Sequence, residues 1–122
     1  MSIYRIKLGI VGSRRRISAD DKELIKQQII KLKPAELVSG GCKKGADKFA
    51  EELSKELSIP MKIFLPKLTR DMEYYKRVNA YYARNKEIAN YSDILIAVVA
   101  PDRKGGTENT IKHFGPDNLI IL

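Results

Sequence analysis

The chain has 122 residues, 43% of them hydrophobic, and 23 Lys and Arg against 15 Asp and Glu, a formal net charge of +8. That length suits one domain, 1–122, with a real core. The lone Cys42 excludes an internal disulfide or multi-cysteine zinc site, and the single His113 leaves no histidine cluster, so neither a metal nor a resident cofactor is expected.

No apolar run approaches the roughly 20 residues that span a membrane. Met1-Ser2-Ile3-Tyr4-Arg5 lacks the apolar core and cleavage site of a signal peptide, so a cytoplasmic protein without a membrane partner is expected. The charge has two readings: anionic partners such as nucleotides or nucleic acid, or a solvated lysine-rich surface.

Apolar runs and helical patterns alternate. Arg5 to Gly12 reads as a strand covered on both faces. Ser18 is an N-cap for a helix carrying Ile25, Ile29 and Leu32 on one face, and Pro34 stops it. Glu36 to Ser39 is a second strand. Ala46, Phe49, Ala50, Leu53 and Leu57 form the apolar stripe of the next helix, which Ile59-Pro60 breaks. Met61 to Leu65 is a third strand. A long helix follows from Asp71 to Asn90, with Met72, Tyr75, Val78, Tyr82 and Ala89 as its expected inner face. Ile94 to Ala100 is strand four, Gly106 to Phe114 a last helix, and Asn118 to Leu122 strand five.

This alternation predicts an α/β, Rossmann-like sandwich around a five-stranded parallel sheet of order 3-2-1-4-5. The switch point then lies between strands one and four, where ligands bind in such sheets. Glycine clusters fall at the strand ends: Gly12-Ser13-Arg14, Ser39-Gly40-Gly41 with Gly45-Ala46-Asp47, and Gly105-Gly106-Thr107. Glycine lets backbone N–H groups approach an anion, and a helix N-terminus adds partial positive charge. The spacing from Gly40 to Gly45 matches a Walker loop, but Ala46-Asp47 follows in place of Lys-Ser/Thr, and no G-x-G-x-x-G is present. A P-loop kinase or NAD dehydrogenase is therefore not expected.

Val11-Gly12-Ser13-Arg14, Ser39-Gly40-Gly41 with Gly45-Ala46-Asp47, Ala83-Arg84-Asn85 and Gly106-Thr107 together resemble the SLOG superfamily, with the YspA-like branch nearest. The LOG-like (lysine decarboxylase-like) proteins and the Rossmann domain of DNA-processing protein A are more distant relatives. The resemblance implies a nucleotide-derived ligand. It matches Gly12, Ser13 and Arg14 to a first ligand-contacting turn and Gly40, Gly41, Gly45 and Asp47 to a second. Arg84 and Asn85 match a helix motif whose arginine faces the ligand, and Gly106 and Thr107 match a phosphate-holding turn. The LOG-like hydrolases carry glutamates two and three residues after the glycine-threonine turn. Here those positions are Asn109 and Thr110, and Glu108 comes one residue early, a rotation of about 100° on a helix.

Each role has an ordinary alternative. Arg14 is either a phosphate partner or a surface arginine of the run Arg14-Arg15-Arg16. Asp47 either accepts from ribose or stabilises its helix N-terminus. Arg84 either enters the crevice or is solvated. Thr107 is compatible with both capping and ligand binding. Cys42, beside Lys43 and Lys44, is read as a small loop residue, and His113 as an ordinary helix residue. Tyr74, Tyr75, Tyr81 and Tyr82, interleaved with Lys76, Arg77 and Arg84, either stack on bases or pack helices in a homodimer seam. The first functional expectation is a sensor-type domain for a nucleotide-derived small molecule. The second is an N-glycoside hydrolase acting on a nucleoside monophosphate, with Asp47, Arg84 and Glu108 as catalytic candidates. The third is single-stranded nucleic-acid binding.

Overall fold

Residues 5–122 are described by a computed structural model of the chain; Met1–Tyr4, and with them most of the segment read for a signal peptide, lie outside the described residues. The elements run β1 (Lys7–Gly12), α1 (Ala19–Leu32), β2 (Glu36–Ser39), α2 (Ala46–Leu57), β3 (Met61–Ile63), α3 (Tyr74–Tyr91), β4 (Ile94–Val98), α4 (Gly106–Phe114) and β5 (Leu119–Ile121). All strand pairs are parallel, in the order β3-β2-β1-β4-β5, as the alternation of elements predicts. The first, third, fourth and fifth strands are shorter than expected, although single backbone bonds extend past them, from the N–H groups of Phe64, Val99 and Leu122 to the carbonyls of Ser39, Leu122 and Ala97.

Alternation along the strands divides the core between the sheet's two faces. Leu8 and Ile10 of β1, Leu37 of β2, and Ile96 and Val98 of β4 meet Ile25 and Ile29 of α1 and Phe49, Ala50 and Leu53 of α2. On the opposite face Val11, Val38, Leu95 and Ala97 meet Ile88 of α3, with Ile111 and Phe114 of α4 at the margin. The helix starts follow local chemistry. The Ser18 hydroxyl accepts from the Asp21 N–H at 3.1 Å while the Asp21 carboxylate accepts from the Ser18 N–H at 3.3 Å, a reciprocal capping box. Arg16 fastens this corner, pairing with Asp21 at 2.8 Å and donating to the carbonyls of Val99 and Leu122.

Helix α3 departs from the expected inner face. Its buried residues are Asn85, Ile88 and Ala89, whereas Tyr75 and Tyr82 are 56% and 47% exposed and Met72 precedes the helix. Eighteen residues make a helix about 27 Å long, but the five residues of β4 extend only about 16 Å. The N-terminal half of α3 therefore overhangs the C-terminal edge of the sheet, with no strand beneath it to bury Tyr75 or Tyr82.

Candidate functional site

β1 and β4 are the two central strands from which the chain leaves in opposite directions, and their C-terminal ends open onto a crevice. The Ser13 N–H still donates to the Val98 carbonyl at 2.9 Å, closing the ladder at the crevice floor. Above it are two adjoining lobes of about 480 and 870 Å³ that share Arg14, Arg15, Cys42, Tyr81 and Arg84 in their walls. The smaller lobe adds Gly40, Gly41, Lys43 and Lys44. The larger adds Gly12, Ser13, Asp47, the overhanging half of α3, and the Lys104–Thr107 turn.

The electrostatics are one-sided. Arg14, Arg15, Lys43, Lys44, Arg77, Arg84 and Lys104 line the crevice, against the single carboxylate of Asp47. Like charges converging on a concave, partly desolvated surface raise the local potential for an anion well above that of scattered surface lysines.

The run Arg14-Arg15-Arg16 splits into three fates. Arg16 is structural, as above. Arg15 pairs with Asp102 at 2.6 Å across the crevice mouth. Arg14 has no hydrogen-bond partner among the described residues and borders both lobes.

Arg84 is half-buried and held in the wall. Its Nη1 donates to the Gly40 carbonyl at 2.6 Å, its Nε donates to Asn85 Oδ1 at 3.1 Å, and the guanidinium carbon lies 5.6 Å from the centre of the Tyr81 ring. Gly40 is glycine for this contact, since a Cβ there would sit 2.5 Å from Nη1. Gly45, with φ of 71°, lets the start of α2 approach the Ser13 carbonyl, which a Cβ would meet at 2.8 Å. Most glycines of the first two turns thus fit chain against chain. At Gly105 and Gly106, by contrast, a Cβ would meet nothing within 4 Å.

Asn85 is buried, and its amide nitrogen donates to Asn109 Oδ1 at 3.2 Å and to the Gly106 carbonyl at 3.4 Å. Asn85 therefore joins Arg84 to the first turn of α4, and both polar ends of its amide are engaged within the protein. Asn109 completes this bridge.

Asp47 Oδ2 accepts from the Cys42 N–H at 3.0 Å and so braces the Gly40–Gly45 loop. Burial raises the Asp47 pKa above its ordinary value; the Cys42 N–H, the Arg84 charge and the Gly40 N–H oppose the rise, and Glu51 adds to it.

Two expectations are corrected. Glu108 forms a two-pronged pair with Arg103, at 2.8 and 2.9 Å, and does not line either lobe. The one-residue offset on α4 turns it toward Arg103 and away from the crevice lining. Thr107 is not a cap: α4 begins at Gly106 behind Gly105, without a side-chain cap, and Thr107 lines the larger lobe from the first turn.

The crevice also recruits Lys43, Lys44 and Lys104, which sequence reasoning did not place there, and takes Arg77, Tyr74, Tyr81 and Tyr82 from the segment read as either base-stacking or helix-packing. Lys43 and Lys44 directly follow the glycine pair, a signal available in the sequence. Lys104 carries no local signal, because only the β4–α4 turn brings it to the crevice. Among the described residues no group of three or more His, Cys, Asp or Glu is placed to hold a metal ion, and no helix is long and apolar enough to cross a membrane.

No protein-family model and no curated protein matches the chain. Among solved structures, the molybdenum cofactor binding protein of the phototrophic bacterium Rippkaea orientalis is similar, with a TM-score of 0.68 over 98% of this chain and 77% of its own and 19% sequence identity. At that identity the likeness concerns the fold: the two chains share the α/β, Rossmann-like architecture.

Proposed function

We propose that this chain binds a nucleotide-derived small molecule in the β1/β4 crevice, as a SLOG-type, YspA-like sensor domain. The observation that carries the reading is the convergence of seven basic side chains, of which Arg15 is paired with Asp102, on a cleft lined among the described residues by one carboxylate, Asp47. Both lobes fall within the range of pockets that enclose small ligands, about 300–1,000 Å³. Ligand phosphate is assigned to Arg14 and Arg84, with the backbone of Gly12-Ser13 and Gly106-Thr107 beside them. Asp47 is assigned to a ribose hydroxyl. Gly40, Gly41, Gly45 and Asn85 are assigned to shaping the loop and orienting Arg84. The similar solved structure supports small-ligand binding in general, since its name describes a cofactor-binding protein.

A second reading is N-glycoside hydrolysis, favoured by one observation: Asp47 is the one carboxyl among the described residues that lines the crevice, and burial there favours its protonated form. Against it stand Asn109 and Thr110, where the LOG-like hydrolases have glutamates.

The test is a thermal-shift screen of nucleoside mono- and diphosphates, cyclic nucleotides, NAD derivatives, phosphoribosyl compounds and molybdenum cofactor, with Arg84→Ala in parallel. A ligand at a hundred times its Kd adds about 2.7 kcal/mol to apparent stability. A shift lost in Arg84→Ala supports the reading; no shift with folded protein refutes it. Hits are then assayed for free base, whose release by wild type and loss in Asp47→Asn would establish the second reading.

A further inference from the structure

Tyrosine is concentrated where it packs least. Four of the six tyrosines lie within the first nine residues of α3, and Tyr74, Tyr75 and Tyr82 are 80%, 56% and 47% exposed. A large aromatic surface left in water needs a reason. Here the distribution is directional: Tyr74, Val78 and Tyr81 fall at i, i+4 and i+7, so they share one face of the helix. That face and Tyr82 wall the larger lobe of the crevice. Tyr75, which points elsewhere, lies near Lys76.

This aromatic wall is continuous with the anion-holding groups. Tyr81 contacts the Arg84 guanidinium, and Arg77 stands between Tyr74 and Tyr81 in the same lobe. The lobe therefore offers cationic groups and flat, amphipathic rings side by side. The complementary ligand carries both an anionic group and a planar heteroaromatic ring, which is the chemistry of a nucleotide.

We infer that Tyr74, Tyr81 and Tyr82 form a base-stacking subsite, resting on the nucleotide reading above and adding to it a specific place for the base. Recognition of the base is by ring stacking along α3, so the site tolerates different bases while rejecting ligands that lack one. Among the described residues no side-chain amide or carboxylate other than Asn85 and Asp47 lines this lobe, and the Asn85 amide is already engaged by the protein.

The experiment measures the affinity of the four nucleoside 5′-monophosphates and of ribose 5-phosphate by titration calorimetry. Wild type is compared with Tyr82→Ala, Tyr74→Ala/Tyr82→Ala and Arg84→Ala, each checked for folding by circular dichroism. Since the chain has no tryptophan, intrinsic emission reports the tyrosines directly. Stacking by one tyrosine predicts that Tyr82→Ala weakens nucleoside monophosphate binding about 5- to 150-fold while leaving ribose 5-phosphate unchanged. The nucleotides, and not ribose 5-phosphate, should quench tyrosine emission. Nucleotide binding that depends on Arg84 but is unaffected by both tyrosine variants overturns the subsite and leaves the nucleotide reading in place. Absence of any nucleotide binding to folded wild type overturns both. Tyrosine-dependent binding of a single-stranded 12-mer, without nucleotide binding, assigns the wall to nucleic acid and also overturns the inference.

Discussion

Replacing Gly40 with alanine should disable the crevice without removing any charged side chain, by displacing Arg84. The added Cβ would lie 2.5 Å from Arg84 Nη1, 2.8 Å from Cζ and 3.2 Å from Nε. Carbon contacts relax at about 3.5 Å or more, so the guanidinium must retreat by about 1 Å. That takes the 2.6 Å bond from Nη1 to the Gly40 carbonyl beyond hydrogen-bonding range and disturbs the 3.1 Å bond to Asn85. Gly40 is not in the left-handed region, so alanine meets no backbone strain there. The clash is with the flexible end of a half-buried side chain, and the stability cost should stay near 1 kcal/mol, or about 3–5 °C in Tm. Binding should suffer more. Losing one charge-assisted contact, about 1.5–3 kcal/mol, corresponds to roughly 10- to 150-fold in Kd. The assay is titration of a nucleoside 5′-monophosphate into wild type, Gly40→Ala and Arg84→Ala. If Gly40→Ala is folded and binds as tightly as wild type, Arg84 is not the ligand-facing group and the assignment of the crevice fails.

Gly12→Ala should behave in the opposite way. Its Cβ would meet Ala46 Cβ at 2.7 Å and Val98 Cβ at 2.9 Å, which have nowhere to move, so urea denaturation should show a loss of about 1–3 kcal/mol; a midpoint equal to wild type would refute the packing argument. Asp47→Asn tests the raised carboxyl. The folded state holds that proton more tightly than the unfolded chain, so its contribution is full below the ordinary value of 3.8 and is lost as pH rises through the folded-state value. Asparagine cannot ionise, so the variant should gain stability relative to wild type as pH rises through that window, and parallel pH profiles would show the carboxyl is unperturbed. Glu108→Gln breaks only its pair with Arg103 at the surface, where such pairs are worth about 0–1 kcal/mol. Ligand affinity and any base release should be unchanged, and a tenfold loss would restore Glu108 to the site.

The strand order and the position of the crevice were legible in the sequence because both depend on local signals. Near-continuous apolar runs mark strands covered on both faces, and the stripe from Ala46 to Leu57 marks a helix on a sheet. With right-handed crossovers, the order of elements alone leaves few topologies. The glycine turns then fell at the ends of β1, β2 and β4 because glycine answers a backbone demand that neighbouring residues reveal. Side-chain direction was not legible. Arg14, Arg15 and Arg16 are consecutive, yet one faces the crevice, one spans its mouth to Asp102 and one fastens α1 to the ends of β4 and β5.

The inner face of α3 was misjudged for the same reason. A stripe containing Tyr75, Val78 and Tyr82 has helical periodicity whether or not a sheet lies beneath it, and only the mismatch in length between α3 and β4 leaves those rings in water. The sequence by itself determined the layers, the strand order and the edge at which a ligand would meet glycine-rich turns. Tertiary structure alone decided which cations converge and that Asn85 and Asn109 lock Arg84 to α4. Those outcomes depend on contacts between residues 20 to 90 positions apart, and no local pattern encodes the angle at which two distant elements meet.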